Sequence, residues 1–158
     1  MAGKDGYSAS ITITRPSNTD AYNAGDVEGA LAAALEFANI GPAGRDVLLT
    51  SAMLAANVNA VPSGMTSYRL HLYNVTPPSA LADNAVWDLP AGDRASYLGY
   101  IDLGTPVDIG STLVVQSDQI NKQVKLKTDS LFGYLVTNGG YTPASGAVKT
   151  LSLSALAL

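Results

Sequence analysis

A chain of 158 residues, 47% hydrophobic and 14% charged, fits one domain of ordinary size and is too apolar for intrinsic disorder, whose signature is low hydrophobicity with high net charge. A net charge of −4 with scattered basic residues argues against a nucleic-acid binder, because affinity for phosphate backbones comes from clustered Lys and Arg. The absence of cysteine removes disulfides, thiolate catalysis and Cys-ligated zinc, and no apolar run reaches the roughly 18 residues of a membrane span.

Residues 1–6 carry two glycines and two charges and read as a flexible arm before a single domain, 7–158, with no apolar core of a secretory signal among them. Residues 7–14 alternate as a strand, with Ile11 and Ile13 on one face and Thr12 and Thr14 on the other; the turn formers of 15–20 end it. The alanine-rich run 30–37 reads as a strand, because Gly25 and Gly29 before it and Gly41-Pro42 after it leave little room for a helix. Residues 47–61 form the longest apolar stretch, a strand expected to bend or bulge near Asn57 or Asn59. Residues 67–75 form the next strand, with Leu70 and Leu72 opposite Arg69, His71 and Tyr73. Ser79 is placed to cap a short helical turn near residues 79–83. A long excursion, 83–96, then carries Trp87.

Segments 97–103, 111–117, 122–127, 131–137 and 147–158 read as further strands. The total is about eight or nine strands with regularly spaced turn signals, the pattern of an all-β, antiparallel β-sandwich of jelly-roll-like form. Charge this sparse implies a neutral, hydroxylated surface or one covered by partner subunits.

Residue types that do chemistry are scarce. His71 is the only histidine, which rules out two-His and three-His metal motifs within one chain. It sits mid-strand and no Gly-x-Ser-x-Gly elbow accompanies it, so it reads as an imidazole on an outer or interface face beside Arg69 and Tyr73. Asp83, Asp88 and Asp93 lie near Trp87 and Tyr97, in outline like a sugar site, yet loop aspartates are usually turn or cap residues, and their spacing matches no EF-hand. The Gly41–Arg45 stretch lacks the Gly-Lys-Ser/Thr ending of a phosphate loop and reads as a tight turn. The formal sequon Asn74-Val75-Thr76 is followed by Pro77 and is discounted. Lys125 and Lys127 alternate with Val124 and Leu126, as on the solvated face of a strand. Eight tyrosines and one tryptophan against two phenylalanines favour half-wet positions at core edges and contacts. The contact candidates are Arg69, His71, Tyr73, Trp87, Tyr97 and Tyr100; no catalytic, metal or cofactor site is expected, and the chain reads as a non-enzyme.

The stretch Val61-Pro62-Ser63-Gly64-Met65-Thr66-Ser67-Tyr68-Arg69-Leu70-His71-Leu72-Tyr73, continued by Pro77-Pro78-Ser79-Ala80-Leu81-Ala82-Asp83-Asn84, resembles small virion structural proteins of tailed bacteriophages. Tyr97-Leu98-Gly99-Tyr100-Ile101-Asp102-Leu103-Gly104 and Thr14-Arg15-Pro16-Ser17-Asn18-Thr19 extend the likeness over most of the chain from about Ile13 onward. The resemblance implies a capsid cement or decoration protein made in the bacterial host cytoplasm and carried on the capsid surface of the virion. Its implied partners are the major capsid protein and further copies of itself as a dimer or trimer, with no nucleic acid, no membrane and no cofactor. The alternative is a carbohydrate- or host-surface-binding module of a phage head or tail, which would stack Trp87 on a sugar face.

Overall fold

The computed structural model of the chain describes residues 5–29 and 33–158. Among them the alternating segments become eleven strands: β1 Gly6–Thr14, β2 Val27–Glu28, β3 Leu35–Phe37, β4 Asp46–Ala56, β5 Tyr68–Tyr73, β6 Tyr97–Gly104, β7 Val107–Asp108, β8 Leu113–Ser117, β9 Lys122–Lys125, β10 Leu131–Thr137 and β11 Val148–Ala157. One sheet runs β1-β11-β4-β8-β7 with β9 also on β4, and the other runs β2-β10-β5-β6 with β3 also on β10. Every pairing is antiparallel. If β1, β2, β4, β5, β6, β8, β10 and β11 are taken as the eight principal strands in chain order, the first, eighth, third and sixth make one sheet. The second, seventh, fourth and fifth make the other, which is the jelly-roll arrangement.

The core lies between the sheets because each contributes its apolar alternate positions. Leu151, Leu153 and Ala155 of β11 and Leu70 and Leu72 of β5 meet there with Leu131 and Leu135 of β10, all buried. On β4 the inward set changes parity: Val47 and Leu49 point in, then Ala52, Leu54 and Ala56. The change occurs at a bulge, since Ser154 pairs with Ser51 but Ala155 pairs with Leu49, leaving Thr50 over. Uninterrupted alternation from Val47 would have carried Ser51 and Met53 inward; the bulge instead puts Met53 outside, 43% exposed. The bulge expected near Asn57 or Asn59 is therefore found seven residues before the former, where β4 hands its pairing from β9 (Asp46 to Leu49) to β8 (Ala52 to Ala56).

Other expectations are corrected by tertiary contacts. The excursion covers the outer face of the β2-β10-β5-β6 sheet over β2, β10 and most of β5, so β5 is buried at five of its six positions, while β6 stays exposed at Tyr100 and Asp102. His71 and Tyr73 alternate with Leu70 and Leu72 as read, but their face is a second core beneath the excursion and not an outer surface. No helical turn forms at residues 79–83; Ser79 is bound to the distant Asp93 and Tyr134, and the one short helix of the described residues is a 3-10 turn at Ala91–Asp93. From the run 30–37 the strand comprises Leu35–Phe37, while residues 30–32 lie outside the described residues. Of the arm expected at 1–6, residues 1–4 also lie outside them, and Gly6 already belongs to β1.

Candidate functional site

The structure offers two surfaces and one buried network. The first surface brings all six contact candidates together. β5 and β6 pair His71 with Tyr100, Arg69 with Asp102 and Tyr73 with Tyr97, so these side chains share the face over which Trp87 folds back. The Trp87 and His71 rings stack with centroids 3.6 Å apart, and Tyr97 and Tyr100 lie 5.9 and 5.6 Å from the imidazole. His71 Nδ1 and Tyr97 Oη share a hydrogen bond of 2.9 Å. Burial, reinforced by the positive charge of Arg69 and opposed by Asp102, pushes the His71 imidazole down to about 4, so it is neutral at physiological pH. Burial pushes the Tyr73 hydroxyl up to about 12, against the opposing pull of the Trp87 N–H.

Within this cluster burial separates roles. Tyr73 is fully enclosed and His71 nearly so, which makes them supports, while Tyr100 is 45% exposed. Arg69 bridges the two levels: its guanidinium carbon sits 4.0 Å over the Tyr100 ring and its Nε donates to Asp102 Oδ1 at 3.0 Å. One face of the Trp87 indole is consumed by His71, so the stacking role that the glycan reading assigns to Trp87 has a competitor inside the protein.

The aspartates of the excursion do not act as a unit. Asp83 forms a buried ion pair with Arg15 at 3.6 Å, accepts from the Tyr22 hydroxyl and accepts from the Gly29 N–H at 3.1 Å. Asp93 is buried and accepts from Ser79 Oγ, whereas Asp88 is exposed. Arg15, at the start of the turn that ends β1, is 4% exposed, its guanidinium also donating to Asn18 and to the Asp20 carbonyl. A second buried pair, Lys149 and Glu28 at 2.7 Å, is tied in by Tyr141, whose hydroxyl donates to Glu28 Oε1 at 2.6 Å and accepts from Tyr68 and Lys149. Burial first, and Glu28's charge next, pushes the Tyr141 and Tyr68 hydroxyls up, so both remain protonated donors. The network joins the ends of β1, β2, β5 and β11 to the excursion and supports the sandwich.

The second surface was not read from the sequence. On the outer face of the β1-β11-β4-β8-β7 sheet, Ser8, Ser10 and Thr12 lie opposite Ser154, Ser152 and Thr150, which in turn lie opposite Ser51, Met53 and Ala55. Ser152 Oγ donates to Ser10 Oγ at 3.0 Å, and none of these positions is charged. At one side the face falls into a depression of about 440 Å³ walled by Met53, Val107, Ile109 and Val114, with Thr105 and Gln116 at its rim. Val107 and Ile109 are 58% and 65% exposed. Val107 and Ile109, apolar residues between the segments 97–103 and 111–117, were the available signal; Met53 had none, because its face depends on the bulge at Thr50. Lys125 and Lys127 are exposed while Val124 and Leu126 are buried, as their alternation requires.

The two antiparallel sheets and their strand order place the chain in the all-β jelly-roll class. No family model and no curated protein matches the chain. Among solved structures it is similar to the capsid of Ralstonia phage GP4, with a TM-score of 0.44 and 13% identity over 99% of this chain and 86% of that one. It is also similar to the sugar-binding C-terminal domain of EclA, with a TM-score of 0.31 and 12% identity over 97% of this chain and 81% of that one. Turnip yellow mosaic virus gives a TM-score of 0.30 and 13% identity over 100% and 85% of the two chains.

Proposed function

We propose that this chain is a structural virion protein that binds the outside of a bacteriophage capsid and stabilises contacts between major capsid subunits. The observation that carries the reading is the uncharged hydroxylated centre of the β1-β11-β4-β8-β7 sheet's outer face, the Ser and Thr rows of β1 and β11, with the apolar depression at Met53, Val107, Ile109 and Val114 beside it. A contiguous exposed apolar patch beside a broad hydroxylated surface is what an interface needs, since neither side must desolvate a charge on association. The resemblance of residues 61–73, 77–84 and 97–104 to tailed-phage virion proteins supports the same reading and implies the major capsid protein as the partner. Binding to the assembled shell and not to free subunits would stabilise the shell by mass action, and a dimer or trimer of the chain would add avidity. No catalytic step is part of this role.

Co-sedimentation of the purified protein with capsids assembled without it tests the proposal. The wild type is expected to pellet with the shells, and Met53→Glu, which places a charge at an exposed position, is expected to weaken binding at least tenfold while leaving the circular dichroism unchanged. Failure of the wild type to pellet, or equal binding by Met53→Glu, counts against the proposal. Cryo-electron microscopy of the native particle should show the chain on the shell.

A further inference from the structure

We propose that the cleft between β6 and the turn joining β8 to β9 is a binding subsite for a neutral saccharide. The cleft has a volume of about 500 Å³ and is lined chiefly by Tyr100, Asp102, Gln119, Asn121, Lys122 and Gln123. That volume lies within the range of small-molecule sites.

Its floor is the outer edge of β6, and the edge does not suit an added peptide strand. Pairing with β5 slips at Leu98 and again at Leu103, and Gly99 and Gly104 adopt φ of +89° and +90°. Only four regular residues, Gly99 to Asp102, remain between the two irregularities, and bulges of this kind are a means of blocking strand addition. Recognition in the cleft therefore falls to side chains.

Those side chains are uncommitted. Gln119, Asn121, Lys122 and Gln123 make no side-chain hydrogen bond or ion pair among the described residues. Gly99 makes room for one of them: a Cβ there would stand 3.0 Å from Lys122 Nζ. Each amide offers both donors and acceptors in one plane, Asp102 accepts and Lys122 donates, a set that matches vicinal hydroxyls, which donate and accept at once. Tyr100, held on one face by Arg69, adds an amphipathic ring as the wall. The charged lining residues are Asp102 and Lys122, one of each sign, and Asp102 is already paired with Arg69, so the lining offers no cluster of like charge with which to select an ion. A polyhydroxylated neutral ligand is the class that uses this lining most fully. The subsite lies away from the apolar depression of the capsid-facing surface and shares none of its lining residues.

Saturation-transfer-difference NMR with the methyl glycosides of glucose, galactose, mannose and N-acetylglucosamine tests the proposal. At least one glycoside is expected to receive saturation from the full-length protein. Asn121→Gly, which tolerates the positive φ of 47° at that position, and Tyr100→Ala are each expected to reduce the transfer at least fivefold, and Asn121→Gly to leave the melting temperature and capsid co-sedimentation unchanged. No transfer to any of the four glycosides, or transfer that survives Asn121→Gly intact, would overturn it.

Discussion

The indole of Trp87 lies over the imidazole of His71, with centroids 3.6 Å apart and planes 18° from parallel. Nothing else in the excursion contributes so large a ring to the second core, where Trp87 also approaches Tyr97 at 5.9 Å. The contact therefore fastens residues 74–96 to β5. Trp87→Ala should cost about 2–3 kcal/mol, somewhat below the usual loss for a fully buried tryptophan because this one is half-buried. Urea denaturation followed by circular dichroism measures the loss, and hydrogen exchange should quicken first in residues 80–90. An unchanged midpoint with unchanged exchange would show that the stack carries no stability.

His71 makes the same region sensitive to acid. Its folded-state value is about 4, against 6.5 when free, so between those values the unfolded chain binds more protons than the folded one. Stability from the neutral imidazole is complete above about pH 6.5 and is lost as pH falls toward 4; below that the contribution is flat. The loss amounts to roughly 2–3 kcal/mol. The difference in unfolding free energy between wild type and His71→Phe, measured at steps from pH 7.5 to pH 4, should shift in favour of the variant as pH falls. A difference independent of pH would contradict the neutral, buried state.

The Lys149–Glu28 pair predicts an asymmetry between single and double substitution. Lys149→Met strands a carboxylate that is 1% exposed, at an expected cost of about 3–5 kcal/mol. Glu28→Gln combined with Lys149→Met removes both charges and should recover most of that loss, because an amide can still accept from Tyr141. A double variant no more stable than Lys149→Met would show that the two charges are not coupled.

Thr50 offers a test of the bulge. With Thr50 deleted, Leu49 and Ser51 follow in ordinary alternation and every β4 side chain keeps its present face, so the fold should survive. What is lost is the hydrogen bond from Thr50 Oγ1 to the Ser154 carbonyl and the acceptor for the Ile120 N–H. The expected cost is about 1–2 kcal/mol by calorimetry. Complete unfolding would mean that the bend itself, and not the two hydrogen bonds, is what the strand requires.

The legible part of this protein was what depends on near neighbours in the chain. Strands at 7–14, 131–137 and 147–158 were readable almost to the residue, since a period of two needs only the residues themselves. The grouping of Arg69, His71 and Tyr73 opposite Leu70 and Leu72 was readable for the same reason, whereas their packing against Trp87, Tyr97 and Tyr100 is a product of the fold. The burial of that face was not, because it depends on an excursion whose course is set by distant bonds such as Ser79 to Asp93 and Tyr134 to the Ser79 carbonyl. Arg15 and Asp83 looked like turn residues because 68 positions separate them, and only the folded chain makes them a pair.

The sequence by itself determined an all-β sandwich with sparse charge, because alternation distinguishes two faces of every strand without reference to the rest of the molecule. Tertiary structure alone decided what each face meets. A single unpaired residue at Thr50 turned Met53 outward, the excursion closed over His71, and the irregular edge of β6 opened the cleft at Tyr100. Each outcome depends on register between strands far apart in the chain, which a period of two does not encode.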